Sequence, residues 1–436
     1  MGSERDPVDG DDGQAKGEEG AWRSLTGIQV LDLSGNLAGP YCGQILADMG
    51  ARVIKVERPG QGDPARAWAP PAWRGDGTLF LAANRGKESL ALELGGAEAG
   101  RILDGLVSRS QVVIQSFRPE VARRFGLVEE TFRPRFPGVI LCSLTAFDPQ
   151  GPLGHRPGYD PLIQAYTGIM SVTGPEGGEP SRAGTSLVDM GAGMWAALGV
   201  LAALRKLEMT GEGSHVRVSL EDTGLAWMAY HLMGVEACGA VPRAMGSGLG
   251  MIAPYRAFPT RDGHLMIAAG TDALFRRCCQ ALELPEMGKD PRFQTNADRV
   301  EHREILEDLL TEATLGYARS DLEERLTRVG VPCAPIRDAG EVARDPLVRG
   351  GAFRPEPHPA IEGYRGVAPP PVIDDARASP NSPPPRVGEH SRSLLEELGL
   401  TGEEIEGLVD QGIVAMAHPP PDGKDPSSGR EPGVEE

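Results

Sequence analysis

The sequence predicts an α/β protein with a Rossmann-like large domain and a second, smaller α+β domain. From residue 26 to residue 144, short apolar segments of strand type alternate with helical segments, which is typical of a parallel sheet covered by helices. After residue 250 the composition changes, and two strand-like segments flank Arg261-Asp262-Gly263, a sequence typical of a β-hairpin turn. The chain has 436 residues, which is enough for two or three domains.

The first predicted element is a compact βαβ unit. Residues 27–33 form an apolar strand, Ala38-Gly39-Pro40 opens a helix over 41–49, and residues 51–57 form the next strand. Two strands joined by a helix in this way are parallel. The same layer continues with strands at 88–94, 111–117 and 138–144, and with helices at 97–108 and near 121–126.

The second half of the chain begins with a long apolar segment. Residues 190–204 are almost all Ala, Leu, Val, Gly, Met and Trp, so we expect a buried helix. A strand at 214–220 and a helix to about 235 follow. The remaining predicted elements are the hairpin strands at 255–260 and 264–269, helices at 271–283, 302–316 and 320–328, Pro-rich extended segments around 369–371 and 383–385, and short helices at 391–398 and 401–414.

Charge and composition exclude several classes of function. The formal net charge is −18 and no basic run is present, which argues against nucleic acid and anionic membranes as partners. The six cysteines form no Cys-x-x-Cys pair, so we expect a reducing, cytoplasmic setting. The scattered histidines predict no metal site. No G-x-G-x-x-G follows the first strand, which gives no support for a bound dinucleotide cofactor.

Asp189 is the main candidate for chemistry. It is a single carboxylate where the long apolar helix begins, and a charged group at the edge of a buried helix needs a physical reason. One reason is capping, because aspartate at a helix N-terminus accepts backbone N–H groups. The other is nucleophilic catalysis, helped by the small residues Gly191 and Gly193, whose backbone N–H groups we expect to stabilise an oxyanion.

Three basic residues follow the early strands. Arg58, Lys87 and Arg124 lie near the expected carboxyl ends of strands, where α/β sheets bind ligands. Cations gathered there fit a phosphate-rich small molecule. Each residue taken alone is also compatible with an ordinary surface cation, so the prediction depends on the group.

The order of several short motifs resembles the family III CoA-transferases over residues 26–416. The motifs are Leu31-Asp32-Leu33-Ser34 with Leu37-Ala38-Gly39-Pro40, the run from Ala51 to Gly60, Asn84-Arg85-Gly86-Lys87, Ser116-Phe117-Arg118-Pro119 with Arg124-Phe125-Gly126, Pro157-Gly158-Tyr159-Asp160, and Val172-Thr173-Gly174. Each motif alone is weak, but their ordered combination is specific.

The resemblance implies an interlocked homodimer in which the smaller domain is inserted into the large one. It also implies that Asp189 is the nucleophile and that Arg58, Lys87, Phe117 and Arg124 bind coenzyme A, which is a substrate as acyl-CoA and not a tightly bound cofactor. The division it predicts is an acidic disordered tail at 1–24, the first part of the large domain at 25–220, a connecting helix and Gly-rich loop at 221–253, the small domain at 254–335, a return segment with the second part of the large domain at 336–416, and a disordered tail at 417–436.

The expected activity is acyl-CoA:carboxylate CoA transfer, of the EC 2.8.3 type, through an aspartyl acyl-anhydride. The 2-methylacyl-CoA racemases share this fold but carry Gly-His-Asp where this chain has Gly158-Tyr159-Asp160. Tyrosine is a poor general base near neutral pH, which favours the transferase. His155 could take the base's place, so a racemase stays open, as does a catalytically silent CoA-binding protein.

Substrate and lid residues are the least defined part of the prediction. Leu37 stands where the oxalate-type enzymes carry Gln, which argues against formate or oxalate as substrate, and Tyr159 lies next to the proposed site. A loop with Gly246, Gly248 and Gly250 resembles the glycine lid of the family. The chain looks most like the succinyl-CoA:dicarboxylate subgroup. In that subgroup Arg182 or Arg256 is a candidate to bind a second carboxylate, although a salt bridge fits either arginine better.

Overall fold

The computed structural model describes residues 22–378 and 382–417. The predicted tails therefore lie mostly outside the described residues. Trp22 is buried and its indole N–H donates to the carbonyl of Ala376 over 2.8 Å, so residues 22–24 belong to the ordered chain and not to a tail.

The two main sheets contain ten strands in the described residues. In chain order they are β1 Gln29–Asp32, β2 Arg52–Glu57, β3 Lys87–Leu92, β4 Val112–Gln115, β5 Ile140–Thr145, β6 His215–Ser219, β7 Tyr255–Thr260, β8 Gly263–Ala268, β9 Cys333–Pro335 and β10 Val414–Ala415. Short two-stranded ribbons pair Ala72–Trp73 with Asp76–Gly77, Phe353–Pro355 with Arg365–Val367, and Val372–Ile373 with Ala376–Arg377.

The helices follow the predicted alternation with the strands. They are α1 Ala38–Asp48, α2 Thr78–Ala83, α3 Ala97–Ser108, α4 Pro119–Arg124, α5 Glu129–Phe132, α6 Asp160–Tyr166, α7 Leu187–Thr210, α8 Leu220–Trp227, α9 Ala229–Cys238, α10 Asp272–Ala281, α11 Asn296–Glu301, α12 Arg303–Thr314, α13 Arg319–Arg328, α14 Ala339–Arg344, α15 Pro346–Gly350, α16 Ser391–Glu397 and α17 Gly402–Asp410.

The large sheet has the strand order β10-β3-β2-β1-β4-β5-β6. All neighbours are parallel except β10, which pairs antiparallel with β3. The chain builds outward from β1 through β2 to β3 and then returns to the other side of β1 with β4. This reversal is a topological switch point, and in open α/β sheets ligands bind in the crevice outside the carboxyl ends of the strands at such a point.

The sheet is covered on both faces. On one face, Leu31, Val113 and Leu141 pack with Leu103 of α3 and Leu394 of α16 in a single apolar cluster. On the other face lie α1 and α7. Because the parallel strands are buried on both sides, they read as continuous apolar runs in the sequence, which is why their positions could be predicted.

Helix α7 is only partly buried, which corrects the prediction of a fully buried helix. A Cβ at Gly193 would lie 2.6 Å from the carbonyl oxygen of Ala38, and one at Gly199 would lie 2.6 Å from Val216, so glycines permit close packing on α1 and the sheet. Met194, Trp195 and Leu198, however, are 48%, 49% and 55% exposed. By length and composition alone α7 could also cross a membrane, a test that core helices of soluble proteins pass as well.

The chain divides into two compact units. The first contains Met1–Ile163, Ser186–Thr223 and Pro346–Glu436, and the second contains Gln164–Thr185 and Gly224–Asp345. The second unit has the antiparallel sheet β9-β8-β7 and a core around Phe258, Phe275 and Leu306. The predicted small domain, 254–335, lies within this second unit, which also takes in helix α9 and the Gly-rich loop.

Candidate active site

The switch point is formed by the loop after β1 and the turn after β4. The loop contains Ser34, Gly35 and Asn36 and leads into α1. The turn contains Ser116 and leads into α4. The Gly35 N–H donates to the Ser116 hydroxyl over 3.2 Å, so the two sides of the crevice are tied together.

Two of the three predicted cations lie exposed at this edge. Arg58 follows β2, and Arg124 ends α4, the helix that follows β4. Only β1 separates β2 from β4, so the carboxyl ends of those strands are about 10 Å apart. Phe117 is half-buried in the turn after β4 and packs against Phe125 at a tilt, with ring centroids 5.5 Å apart. The Arg124 guanidinium lies 4.7 Å from the centre of the Phe125 ring. This edge combines exposed positive charge with an aromatic surface, which fits a nucleotide.

Lys87 does not lie on that surface, and its surroundings argue against the predicted role in binding the nucleotide. Its ammonium group is fully buried and donates to the Asp32 carboxylate at 2.8 Å, to the Pro40 carbonyl at 2.7 Å and to the Asn84 side chain at 2.8 Å. All three of its donors are therefore used inside the protein. Burial disfavours the charged form of Asp32, but Lys87 and Lys55 outweigh it and hold the pKa of Asp32 at about 2.

A second buried pair holds the loop after β1. Lys55 and Asp63 are joined at 2.7 Å with both side chains almost fully buried. The Lys55 ammonium also donates to the Ser34 carbonyl at 2.9 Å, and the Asn36 N–H donates to Asp63 at 3.1 Å. Buried charges are costly unless well paired, so this network fixes the loop in one conformation.

Asp189 is the third residue of α7, at the same edge of the sheet. Gly193, one turn later, packs on Ala38 at the start of α1, which places Asp189 close to the loop after β1. The free N–H groups of Val188 and Asp189 donate to the Asp160 carboxylate at 2.8 and 3.2 Å. Asp160, and not Asp189, is thus the cap of this helix.

The capping arrangement changes the expected electrostatics of Asp189. Among the described residues, no donor is hydrogen-bonded to its carboxylate. Burial, together with the nearby charge of Asp160, raises the pKa of Asp189 from 3.8 to about 7. The capping role that the sequence suggested for Asp189 is therefore taken by Asp160, which accepts those N–H groups.

The positions of Gly191 and Gly193 argue against the oxyanion role expected of their N–H groups. Gly191 and Gly193 are the fifth and seventh residues of α7, beyond the first turn whose N–H groups are free of intrahelical bonds. Gly193 instead serves packing, since its missing side chain leaves room for Ala38 and Tyr41.

The remaining predicted residues of the first unit differ in exposure. Tyr159 is 54% exposed and meets Trp68, itself 47% exposed, edge to face with centroids 6.3 Å apart. Leu37 is buried and precedes α1 without a side-chain cap. His155 is exposed, and among the described residues no hydrogen bond or ion pair joins it to Asp189.

The Gly-rich loop of the second unit is held at both ends. The Gly246 N–H donates to the Gly174 carbonyl at 2.8 Å, and the Arg303 guanidinium donates to the carbonyls of Leu249 and Gly250 at 3.1 and 2.9 Å. Arg303 in turn pairs with Glu307 at 3.1 Å.

Of the two arginines proposed for a second carboxylate, one is already paired. Arg256 is ion-paired to Glu307, so it is not free to bind a substrate. Arg182 is exposed and donates to the Gly184 carbonyl at 3.2 Å.

Sequence reasoning missed several residues of this region. Arg118 is exposed in the turn after β4, and Trp68 is exposed beside Tyr159. Arg118 lies in one of the motifs quoted above and Trp68 in none of them, and neither residue type marks a site without its neighbours. Asp160 caps α7 through a contact between residues 28 apart, which no local pattern reveals. No cluster of potential metal ligands is found among the described residues.

Comparison with known proteins decides the family. The model of CoA-transferase family III matches residues 25–391. The chain belongs to this family. The transferase is 36% identical over 382 residues to a succinate–glutarate CoA-transferase of Agrobacterium fabrum, covering 86% of this chain and 95% of that protein. It is 32% identical to the mouse succinyl-CoA:glutarate CoA-transferase, covering 92% and 93%, and 35% identical to an acetyl-CoA:oxalate CoA-transferase of Acetobacter aceti, covering 85% and 95%.

Solved structures show the same fold. A CAIB/BAIF family protein from Brucella suis superimposes with a TM-score of 0.77 at 35% identity, covering 86% of the transferase and 99% of that chain. A hypothetical protein from Mycobacterium tuberculosis gives 0.75 at 30% identity, covering 85% and 99%. The predicted α/β class with a parallel-dominated sheet is confirmed, and so is the prediction of an enzyme of the CoA-transferase type.

Proposed function

We propose that the enzyme moves CoA from an acyl-CoA donor to a carboxylic acid by way of a covalent intermediate on Asp189. The observation that carries this is the carboxylate of Asp189, which lies at the switch-point edge with no hydrogen-bond donor among the described residues. Asp189 is half-buried, and a partly desolvated carboxylate is a stronger nucleophile than one in water. With a pKa of about 7, a large fraction of it is ionised at neutral pH.

The proposed steps balance without any further reactant. An Asp189 oxygen attacks the thioester carbonyl carbon, the carbon–sulfur bond breaks, and CoA thiolate leaves an acyl-aspartyl anhydride. The thiolate then attacks the aspartyl carbonyl and releases the donor acid, which leaves CoA on Asp189 as a thioester. The acceptor acid repeats these two steps in reverse and leaves as its CoA thioester, which returns Asp189 to a carboxylate. Dividing the exchange into such steps is nucleophilic catalysis.

Binding of the nucleotide is assigned to Arg58, Phe117 and Arg124. Exposed guanidinium groups suit phosphate oxygens, and a half-buried phenyl ring offers a stacking surface. We leave Lys87 out of this set because its donors are used internally. The names of the relatives favour succinyl-CoA as donor and a dicarboxylic acid as acceptor, with Arg182 as a candidate for the distal carboxylate.

We further propose that two copies of the chain form the interlocked dimer typical of the family. The exposed apolar residues of α7, Met194, Trp195 and Leu198, support this, because a large apolar surface on one helix marks an interaction site. All six cysteines are free thiols, which fits the predicted reducing, cytoplasmic setting.

An exchange assay separates the remaining functions. Succinyl-CoA is incubated with an isotopically labelled dicarboxylic acid, and labelled acyl-CoA is detected by mass spectrometry. We expect exchange by the wild-type enzyme and by Glu212→Ala, an exposed carboxylate after α7, and none by Asp189→Ala with CoA binding retained. Deuterium uptake at the α-carbon without an acceptor would identify a racemase, and CoA binding with neither reaction would identify a silent binding protein.

A further inference from the structure

A continuous series of hydrogen bonds runs across the sheet to the turn after β4. It begins at Glu129 of α5, whose carboxylate lies 3.2 Å from Nδ1 of His215 on β6. Nε2 of His215 lies 3.0 Å from the Ser143 hydroxyl on β5. The Gln115 amide on β4 donates to that hydroxyl at 2.8 Å and accepts the N–H of Phe117 at 2.8 Å.

The series has one consistent direction. The Phe117 N–H can only donate, so it fixes the oxygen of the Gln115 amide and turns the NH₂ group toward Ser143. The Ser143 hydroxyl accepts that bond and is left to donate to Nε2 of His215. Nδ1 of His215 then carries the proton and donates to Glu129. Every donor meets an acceptor only when the histidine is neutral.

We infer that His215, Ser143 and Gln115 are positioning residues that set the turn containing Phe117, and through it the affinity for the CoA nucleotide. The inference rests on the proposed function, because Phe117 is assigned to the nucleotide site only there. Gln115 and Ser143 are almost fully buried, so a broken member leaves a polar group without a partner in a dry interior. The turn also carries Ser116, which binds the loop on the other side of the crevice.

Protonation of His215 reverses one bond of the series. Nε2 would then donate to Ser143, which already accepts from Gln115, and the serine proton would lose its acceptor. The charged groups around His215 are Glu129 on α5, Arg133 directly after α5, and Arg217 on β6 itself. Burial outweighs the attraction of Glu129 and lowers the pKa of His215, which is consistent with a neutral ring.

The test compares two buried serines, Ser143 on β5 and Ser110 in the loop that precedes β4. Ser143→Ala breaks the series, whereas Ser110→Ala removes an equally buried hydroxyl that bonds the Leu106 carbonyl at the opposite end of β4. CoA binding is measured by calorimetry, and steady-state exchange is measured at pH 5.5 to 8. At pH 7.5 we expect Ser143→Ala to weaken CoA binding and raise KM for acyl-CoA by about 3- to 10-fold, as for one lost hydrogen bond, with kcat nearly unchanged. Ser110→Ala should leave both constants unchanged.

A second variant tests the proton dependence and guards against misfolding. In the wild type we expect CoA binding to weaken at low pH, where His215 becomes protonated. The glutamine side chain of His215→Gln keeps a donor and an acceptor but cannot be protonated. This variant should therefore bind CoA well at pH 7.5 and show less weakening at low pH than the wild type. Equal KM values for Ser143→Ala and wild type, or an unchanged pH profile in His215→Gln, would overturn the inference while leaving CoA transfer intact. A wild-type enzyme without exchange would refute the proposed function itself.

Discussion

At the scale of single residues, two carboxylates share one helix end and have different tasks. Asp160 accepts the free N–H groups of α7, and Asp189 is left with burial and a neighbouring negative charge. Aspartate at a helix start would normally be stabilised as the anion. Here a second aspartate accepts those N–H groups, so the proposed nucleophile becomes mostly ionised only when the pH rises above about 7.

The pH dependence of exchange follows from this raised pKa. Only the Asp189 anion can attack, so kcat/KM for acyl-CoA should rise with pH through about 7 and level off above it. Asp160→Asn keeps an oxygen for the helix N–H groups but removes the repelling charge, so the midpoint should move to lower pH. An unchanged midpoint in that variant would show that Asp160 does not influence Asp189.

The same shift predicts a stabilising substitution. The folded pKa of Asp189, about 7, lies above the unfolded value of 3.8, so wild type loses stability as the pH rises from about 4 to about 7. Asparagine does not ionise, so Asp189→Asn does not lose stability in this way as the pH rises. Its free energy of unfolding at pH 8 should exceed that of wild type by about 1–3 kcal/mol. Urea unfolding at pH 8 and pH 4 measures the difference in unfolding free energy between variant and wild type. A difference that does not shrink at pH 4 would contradict the raised pKa of Asp189.

At the scale of elements, the strands and helices of the large sheet could be predicted because their signals are local. The apolar runs of β1, β2, β4 and β5 and the hairpin around Gly263 lie where the sequence placed them. What could not be predicted was which polar residues face inward. Lys87 and Arg58 both follow or begin strands in the sequence and both are cations, yet Lys87 is buried and Arg58 is exposed. Lys87 is buried because it bonds Asp32, on another strand, and Asn84, and these contacts cannot be read from the sequence.

Two substitutions distinguish the structural role of Lys87 from the proposed CoA-binding role of Arg124. Lys87→Met leaves Asp32 as an unpaired buried charge and should destabilise the fold by about 3–5 kcal/mol. Arg124→Ala removes an exposed cation, so it should leave the unfolding midpoint nearly unchanged and weaken CoA binding. Thermal unfolding and CoA titration of both variants check this, and it fails if Lys87→Met folds normally and loses only CoA affinity.

At the scale of the whole molecule, the exposed side of α7 has the clearest consequence. A long apolar helix predicted full burial, but a sequence pattern cannot say whether the covering surface comes from the same chain or from a second copy. Met194, Trp195 and Leu198 show that one side of the helix lacks cover from the described residues of its own chain.

The dimer proposal can be tested through this surface. Sedimentation of the wild type should give a dimer that persists on dilution to nanomolar concentration. Trp195→Glu places a charge on the apolar side and should yield monomer or aggregate, whereas Glu208→Gln, an exposed residue near the end of the same helix, should not. A wild-type monomer at micromolar concentration would contradict the proposal.

The central claim is that Asp189 carries the covalent intermediate. The enzyme is incubated with succinyl-CoA, quenched with hydroxylamine, digested, and examined by mass spectrometry for a hydroxamate. We predict the modification on Asp189, its dependence on acyl-CoA, and its absence in Asp189→Ala. A hydroxamate on Asp160 or another carboxylate, or exchange by wild type with Asp189 never modified, would contradict the account.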